Sequence, residues 1–297
     1  MPVFHQPWWL DATGLSWQVA TVQNGDAVSG IWPYVPERRY GISFLQNPPL
    51  CPYLGPYVAF PDDLKESKQE SFEHQTITAL LNQLPPAQVV ATALLPAIRQ
   101  VGLFTQAGFK LNVRQTFLMD LNEITEAALL ERLHTDYRRN LRKAASELVI
   151  SNEPEAVDDL YSFQEATLAR KGLKMQYQPS YLRRLLHASV AHGQGALWVA
   201  RKAGVIQAML WQVWDERCSY YLAGSKNPDV KDMRAMTALI FHAIDQSRIM
   251  GLEAFDFEGS MDPGVEHFFR HFGGRKALYL VLQRTDSLLW KFKNLIR

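Results

Sequence analysis

Two acidic side chains near the C-terminal end stand out for chemistry. In Phe255-Asp256-Phe257-Glu258-Gly259-Ser260, strict alternation sets Phe255 and Phe257 on one face of a short strand and Asp256 and Glu258 on the other, and Gly259-Ser260 then breaks it. Such a strand ends beside a polar pocket, and carboxylates placed there are candidates for proton transfer. Farther on, His267 and His271 stand four apart on one helix face, a spacing that could hold a metal. A zincin places Glu directly after the first His, whereas Glu266 precedes it here and no third ligand is marked, so no metal is expected. Gly-x-Ser-x-Gly, Walker and Gly-x-Gly-x-x-Gly patterns are all missing, which removes the physical parts of serine hydrolase, P-loop and dinucleotide-binding readings.

The elements around these residues follow a repeated order. In the second half, a strand at 148–151, helices at 154–171 and 179–192, and strands at 196–201, 205–214 and 217–223 precede a helix over 232–250. The Asp256 strand, a short helix stopped by Gly273-Gly274 and a buried strand over 277–282 complete the unit. The first half has two strands around the turn Gln23-Asn24-Gly25-Asp26, a third at 42–45, and a shaped loop over 47–57. A helix over 62–84, a strand at 89–95, a short helix at 97–106 and a strand at 109–121 follow. Matching order argues for two copies of one α+β unit, the second the more complete. The boundaries read as 1–125 for the first domain, 126–147 for a basic linker helix, 148–285 for the second domain and 286–297 for a C-terminal amphipathic helix.

At 297 residues the chain can bury a sizeable core, and 47% hydrophobic with 21% charged residues is ordinary globular composition. A net charge of +1 argues against wholesale electrostatic binding of nucleic acid, so no stable DNA binding is expected. Cys51 and Cys218, the two cysteines, form no disulfide framework and no metal spacing, which points to a reducing compartment. The N-terminus lacks a signal-peptide pattern and no apolar run approaches the ~20 residues of a membrane span, so a cytoplasmic location is expected. Segment 286–297 is apolar with three positive charges; packing on the second domain is its plain reading, and peripheral contact with an anionic membrane the functional one. Arg138, Arg139, Arg142 and Lys143 on the junction helix read first as a solvated face interspersed with Glu131, Asp136 and Glu147, and alternatively as a surface for tRNA or nucleotide phosphates.

The element order resembles the GNAT acyltransferase fold, and a tandem pair resembles the Fem aminoacyltransferases, the methicillin-resistance-factor family. The stretches that carry the likeness are Pro7-Trp8-Trp9-Leu10-Asp11-Ala12, the Pro- and Gly-rich loop from Pro48 to Gly55, the junction from Tyr137 to Ala144, Phe255 to Ser260, and Phe268 to Gly273. The resemblance implies two tandem GNAT-like domains, each a mixed central sheet flanked by helices. It also implies transfer of an acyl or aminoacyl group to an amine, in the Fem family from aminoacyl-tRNA to a peptidoglycan precursor. Two departures stand against the pattern. The segment from Val230 to Ala238 lacks the glycines of the coenzyme A pyrophosphate cradle, and the stretch from Lys171 to Ser180 is too short for a coiled-coil arm.

Acyl transfer to an amine needs a base for the ammonium, donors for the oxyanion and protonation of the leaving group. On the resembled fold, backbone near Gly224, Ser225 and Lys226 faces the end of the Asp256 strand. Asp256 and Glu258 are then the base candidates, Ser225 and Ser260 hydrogen-bond partners, and Tyr279 the acid. Their plain alternatives are a carboxylate satisfied by backbone amides at a strand end and a core aromatic. Trp32, Tyr34, Arg38 and Tyr53 suit an acceptor wall for a sugar or peptide, or simply cover a core. The expected enzyme is an aminoacyl or acyl N-transferase with no bound cofactor, its donor aminoacyl-tRNA or acyl-CoA. An acyl-CoA or acyl-carrier-protein dependent N-acyltransferase, and a non-catalytic binding module on the same fold, are the alternatives.

Overall fold

The structure is a computed structural model in which residues 1–231, 234–259 and 261–286 are described. Contacts divide the chain into two units: Val3–Arg114 with the chain from Leu278 onward, and Gln115–Ala277.

The first unit opens with a 3-10 turn at Val3–His5 and helix α1 (Pro7–Thr13), whose Pro7 supplies the fixed φ and missing N–H that suit a helix start. Strands β1 (Gln18–Asn24), β2 (Ala27–Tyr34), β3 (Pro36–Arg39), β4 (Ile42–Gln46) and β5 (Tyr57–Val58) follow. Then come α2 (Glu66–Gln83), β6 (Val89–Ala93), α3 (Val101–Gln106) and β7 (Lys110–Asp120), along which the chain passes into the second unit. There it forms α4 (Glu126–Arg132), α5 (Thr135–Ala145), β8 (Val149–Asn152), α6 (Val157–Arg170), α7 (Pro179–Ala191), β9 (Gly195–Lys202), β10 (Val205–Trp214) and β11 (Cys218–Lys226). Helix α8 (Arg234–Ile249), β12 (Ala254–Asp256), α9 (Pro263–Arg270) and β13 (Arg275–Thr285) complete it, β13 returning to the first unit.

Each unit holds a mixed sheet. In the first the order is β3-β4-β6-β13, with β4 and β6 parallel and the other neighbours antiparallel. In the second it is β7-β12-β11-β10-β9-β8, with β11 and β12 parallel. The three antiparallel strands expected between 196 and 223 are β9, β10 and β11. Trp211 Nε1 donates to Ser189 of α7 at 3.2 Å, while its neighbour Gln212 donates to Ser247 of α8 at 2.8 Å. Side chains alternate along a strand, so α7 and α8 cover opposite faces of this sheet.

Four features differ from the sequence reading. The hairpin β1–β2 pairs with β5 in a separate three-stranded sheet, so the first copy's hairpin does not extend its mixed sheet as the second copy's does. The span 126–147 is two helices, broken at Leu133, with His134 Nδ1 accepting the N–H of Asp136. α5 packs on α8 inside the second unit, burying Ala144, so this span is a component of that unit and not a free linker. Residues 278–285 and 115–125 fall in opposite units from those a cut at 125 assigns, because β13 pairs with β6 and β7 pairs with β12. The helix read at 154–171 becomes α-helical only from Val157. Asn152 accepts Leu197 N–H at 3.0 Å, and Glu153 pairs with Arg201 at 2.6 Å, while a 3-10 turn at Pro154–Ala156 leads into the helix. Apart from Asp286, the segment 286–297 lies outside the described residues.

Candidate active site

The second unit's sheet changes character where β12 ends. β11 and β12 are paired only from Cys218 opposite Ala254 to Tyr220 opposite Asp256, whereas β11 continues to Lys226 beside β10. Beyond Tyr220 the stretch 221–226 therefore has a strand neighbour on its β10 side alone among the described strands. This is the divergence expected near Gly224, and it leaves strand backbone facing the end of β12.

The alternation read from the sequence holds from Phe255 to Phe257, but the strand ends at Asp256 and Glu258 stands in the turn beyond it. Phe255 and Phe257 are buried in the apolar cluster with Leu239, Ile240, Ala243, Phe269 and Phe272. Asp256 faces the other way, yet it is only 2% exposed, so it is not an open carboxylate. Its Oδ1 accepts the backbone N–H of Glu258 at 2.7 Å and the hydroxyl of Thr116 on β7. A carboxylate that accepts the N–H two residues ahead closes an Asx turn, and here the turn carries Glu258 and Gly259 into positive φ, 54° and 48°. At Gly259 a Cβ would lie 2.1 Å from the Gln115 carbonyl oxygen and 2.6 Å from Thr116 Cα, so the backbone approach admits glycine alone.

Held in this way, Glu258 has one carboxyl oxygen, Oε1, enclosed without a hydrogen-bond partner among the described residues. Burial, and secondarily the Asp256 carboxylate, push its pKa well above the ordinary carboxylate range. A carboxyl in that condition takes up and releases a proton closer to neutral pH than a solvated one, which suits acid–base chemistry.

Around the pair lies a buried polar set. Tyr220 donates to Asp215 Oδ2 at 3.1 Å, and Asp215 Oδ1 accepts the N–H groups of Arg217 and Cys218, each at 3.0 Å. Burial, then neighbouring acidic groups, raise the Tyr220 hydroxyl and the Cys218 thiol well above their ordinary values, so both stay protonated. The following loop is fixed from two sides. Lys171, just past α6, meets Asp262 at 2.7 Å, and Asp262 caps α9 through the N–H groups of Gly264 and Val265.

Of the other residues singled out in the sequence, Ser225 is buried, lies 3.4 Å from Thr167 of α6, and donates to the Lys226 carbonyl. At Gly224 a Cβ would meet the Tyr221 hydroxyl at 2.1 Å, so glycine makes room for that phenol, whose ring stands against Phe269. Lys226 is half-buried. Ser260 lies outside the described residues, as do Asp232 and Met233 at the start of the glycine-poor segment. Arg138 donates to Thr135, and Arg139 pairs with Asp136 at 2.9 Å, both on the exposed side of α5.

Tyr279 belongs to the first unit, where its ring stands edge-on to Tyr53 at 5.2 Å. Trp32 and Tyr53 are 2% and 1% exposed, and the cavity lined by Trp32, Tyr34 and Asn47 holds about 10 Å³, room for about one water. An aromatic wall for a sugar or peptide is therefore not displayed at these two residues, which pack as core. Arg38 sits on β3 among exposed neighbours. Among the described residues no group of three or more His, Cys, Asp or Glu is arranged to hold a metal. The rings of His267 and His271 meet edge-on at 4.4 Å, and those of His271 and His134 at 4.6 Å.

Sequence reasoning missed Thr116, Asp215 and Tyr220. Asp215 was visible as a turn former, but Thr116 meets Asp256 only through the β7–β12 register, which no local pattern reveals.

Residues 131–270 match the family model described as an acetyltransferase (GNAT) domain. Among solved structures the chain is similar to FemX at 11% identity, with a TM-score of 0.66 over 99% of this chain and 94% of that one. It is also similar to the C-terminal domain of a putative lysylphosphatidylglycerol synthetase from Agrobacterium fabrum, at 14% identity and TM-score 0.56, covering 94% and 86%. A tandem GNAT protein from the clavulanic acid biosynthesis pathway matches at 9% identity and TM-score 0.54, covering 94% and 88%. No curated protein sequence matches the chain. The chain thus has a Fem-like tandem GNAT fold, with residues 131–270 similar to the acetyltransferase (GNAT) domain model.

Proposed function

We propose that this protein transfers an aminoacyl or acyl group to an amine, with Glu258 as the proton-transfer group and Asp256 and Thr116 as the residues that position it. The observation that carries the reading is the enclosed Glu258 carboxyl, at the point where β11 outruns β12 inside the GNAT-matching domain. In the proposed step the donor carbonyl lies beside the unpaired stretch of β11, whose backbone N–H groups donate to the oxyanion that forms on its oxygen. The amine, losing its proton to Glu258, attacks the carbonyl carbon, and the ester or thioester bond breaks as the leaving oxygen or sulfur is protonated. The proton that Glu258 takes from the amine is available for that leaving atom.

Aminoacyl-tRNA is the proposed donor, and the glycine-poor segment 230–238 supports it over coenzyme A. The Fem-like fold supports a peptidoglycan precursor as acceptor, used in the cytoplasm at the inner face of the membrane, with 286–297 as the proposed peripheral contact. No described helix is long and apolar enough to cross a membrane. The acetyltransferase description of the matching model favours a second reading, an acyl-CoA dependent N-acyltransferase.

Transfer from labelled aminoacyl-tRNA and from acyl-CoA to amine acceptors, run side by side, tests both readings. Aminoacyl transfer that disappears in Glu258→Gln is the expected result. Transfer from acyl-CoA alone, with thermal stabilisation by that donor, would replace the first donor by the second. Inactivity with both, in protein that is folded, would leave a binding module.

A further inference from the structure

The second unit has a groove to which β11, β12 and the turn after them contribute no residue. It is bounded by α4, α5, β8 and α8, and its volume is about 420 Å³, within the ~300–1,000 Å³ usual for small-molecule sites. Leu141, Leu148, Ile150 and Phe241 supply apolar wall, and Ala144, Ala145 and Ala238 leave the space open. The charges are balanced. Glu126 and Arg142 are opposite in sign, and the Asp245 carboxylate is engaged by Arg248 at 2.8 Å.

One lining group has hydrogen-bonding capacity to spare. The His242 ring stands edge-on to Trp198 at 4.5 Å, with Nε2 enclosed and without a partner among the described residues. Burial holds this imidazole below its ordinary pKa, so it is neutral at pH 7 and offers one donor and one acceptor. Trp198 itself is committed, its Nε1 donating to Gln212 at 2.7 Å, and Gln212 is held in turn by Ser247 and Ala243. The imidazole therefore sits on a fixed floor with its Nε2 unspent among the described residues.

We propose that this groove binds a small, uncharged amphipathic molecule, an aromatic or branched aliphatic body carrying one hydroxyl or amide. The body lies against Leu141, Leu148, Ile150 and Phe241, and the polar group meets the His242 imidazole. Balanced wall charges and a neutral ring select against a net charge on the ligand. The site stands independently of the transferase reading, since none of its residues belongs to the proposed machinery.

The test is a fluorescence titration of 2-naphthol with the full-length protein, with naphthalene as the probe lacking the hydroxyl. Wild type is expected to show saturable one-to-one binding of 2-naphthol. Ala145→Trp, at an exposed position on the groove wall, is expected to weaken it at least tenfold by filling the space. His242→Phe keeps a ring against Trp198 but removes both nitrogens; it is expected to weaken 2-naphthol about tenfold and leave naphthalene unchanged. Circular dichroism and thermal unfolding establish that each variant is folded. Absence of saturable binding to wild type, or equal binding by Ala145→Trp, overturns the site. Equal 2-naphthol binding by His242→Phe overturns the imidazole contact.

Discussion

The first unit buries a histidine and closes around it, whereas the second buries a carboxyl and leaves backbone open beside it. His5 is 2% exposed and bonds the Gly55 carbonyl at 2.8 Å, and burial lowers its pKa to about 4. It is a neutral core residue whose ring lies 6.1 Å from that of Tyr57, and its neighbour Phe4 packs edge-on to Trp9 and Tyr53. Glu258 is shifted by burial as well, and like His5 Nδ1 its Oε1 has no hydrogen-bond partner among the described residues, but it stands where the strand beside it has outrun its neighbour. A perturbed titratable group is a sign of function only when its setting leaves room for a substrate. By that criterion the transfer proposed above falls to the second unit.

The comparison can be broken most sharply at Glu258. Glu258→Gln removes the proton acceptor while conserving shape, and kcat should fall by about 10²–10⁴-fold, the usual contribution of general acid–base catalysis. In wild type, transfer should rise with pH through a value displaced above that of a solvated carboxylate, and the variant should lack this limb. A pH–rate profile checks both.

Next in size is the turn that holds Glu258. Gly259→Ala places a Cβ against the Gln115 carbonyl at a positive φ, and should cost about 3 kcal/mol with loss of transfer, read by denaturant unfolding and the assay together. Loss of stability without loss of transfer would separate the turn from the chemistry.

For the first unit the effect should be on stability and not on rate. His5 in the folded state has its pKa depressed from 6.5 to about 4, so below pH 6.5 the unfolded chain takes up a proton that the folded chain refuses. Its contribution is complete above pH 6.5, declines as pH falls, and levels off below about 4, a loss of about 3 kcal/mol. Denaturant midpoints of wild type and His5→Gln between pH 4 and 7.5 should converge at the acid end.

The smallest expected effect is at Thr116. Thr116→Val removes one hydroxyl from Asp256 and should lower stability by about 1 kcal/mol and transfer by up to tenfold, with KM unchanged. A change in KM alone would mean that Thr116 faces substrate and does not position the carboxylate.

Local patterns set much of this molecule. Alternation placed Phe255 and Phe257 on the core side of a short strand, the turn at Asn24-Gly25 joined β1 and β2, and Gly251 and Gly273 followed helices where the periodicity stopped. These are consequences of neighbours within a few positions, and the chain states them directly. The aromatics Trp32 and Tyr53 were equally legible as either a ligand wall or a core, because composition is the same in both cases and only burial separates them. The break at Leu133, which turns one basic helix into two, comes from His134 capping α5 and accepting no further turn of α4.

What tertiary structure alone decided is the environment of the carboxylates. The pairing of β7 with β12 puts Thr116 on Asp256, the Asx turn that results carries Glu258 into an enclosed position, and the end of that pairing opens the edge of β11. Register between strands 140 positions apart is set by how whole faces pack, and a pKa by what surrounds the group once they have packed. The sequence by itself determined that two carboxylates stand at the end of a strand between a glycine turn and a helix; the raised pKa of Glu258 arises from burial and a neighbouring carboxylate that exist only in the folded chain.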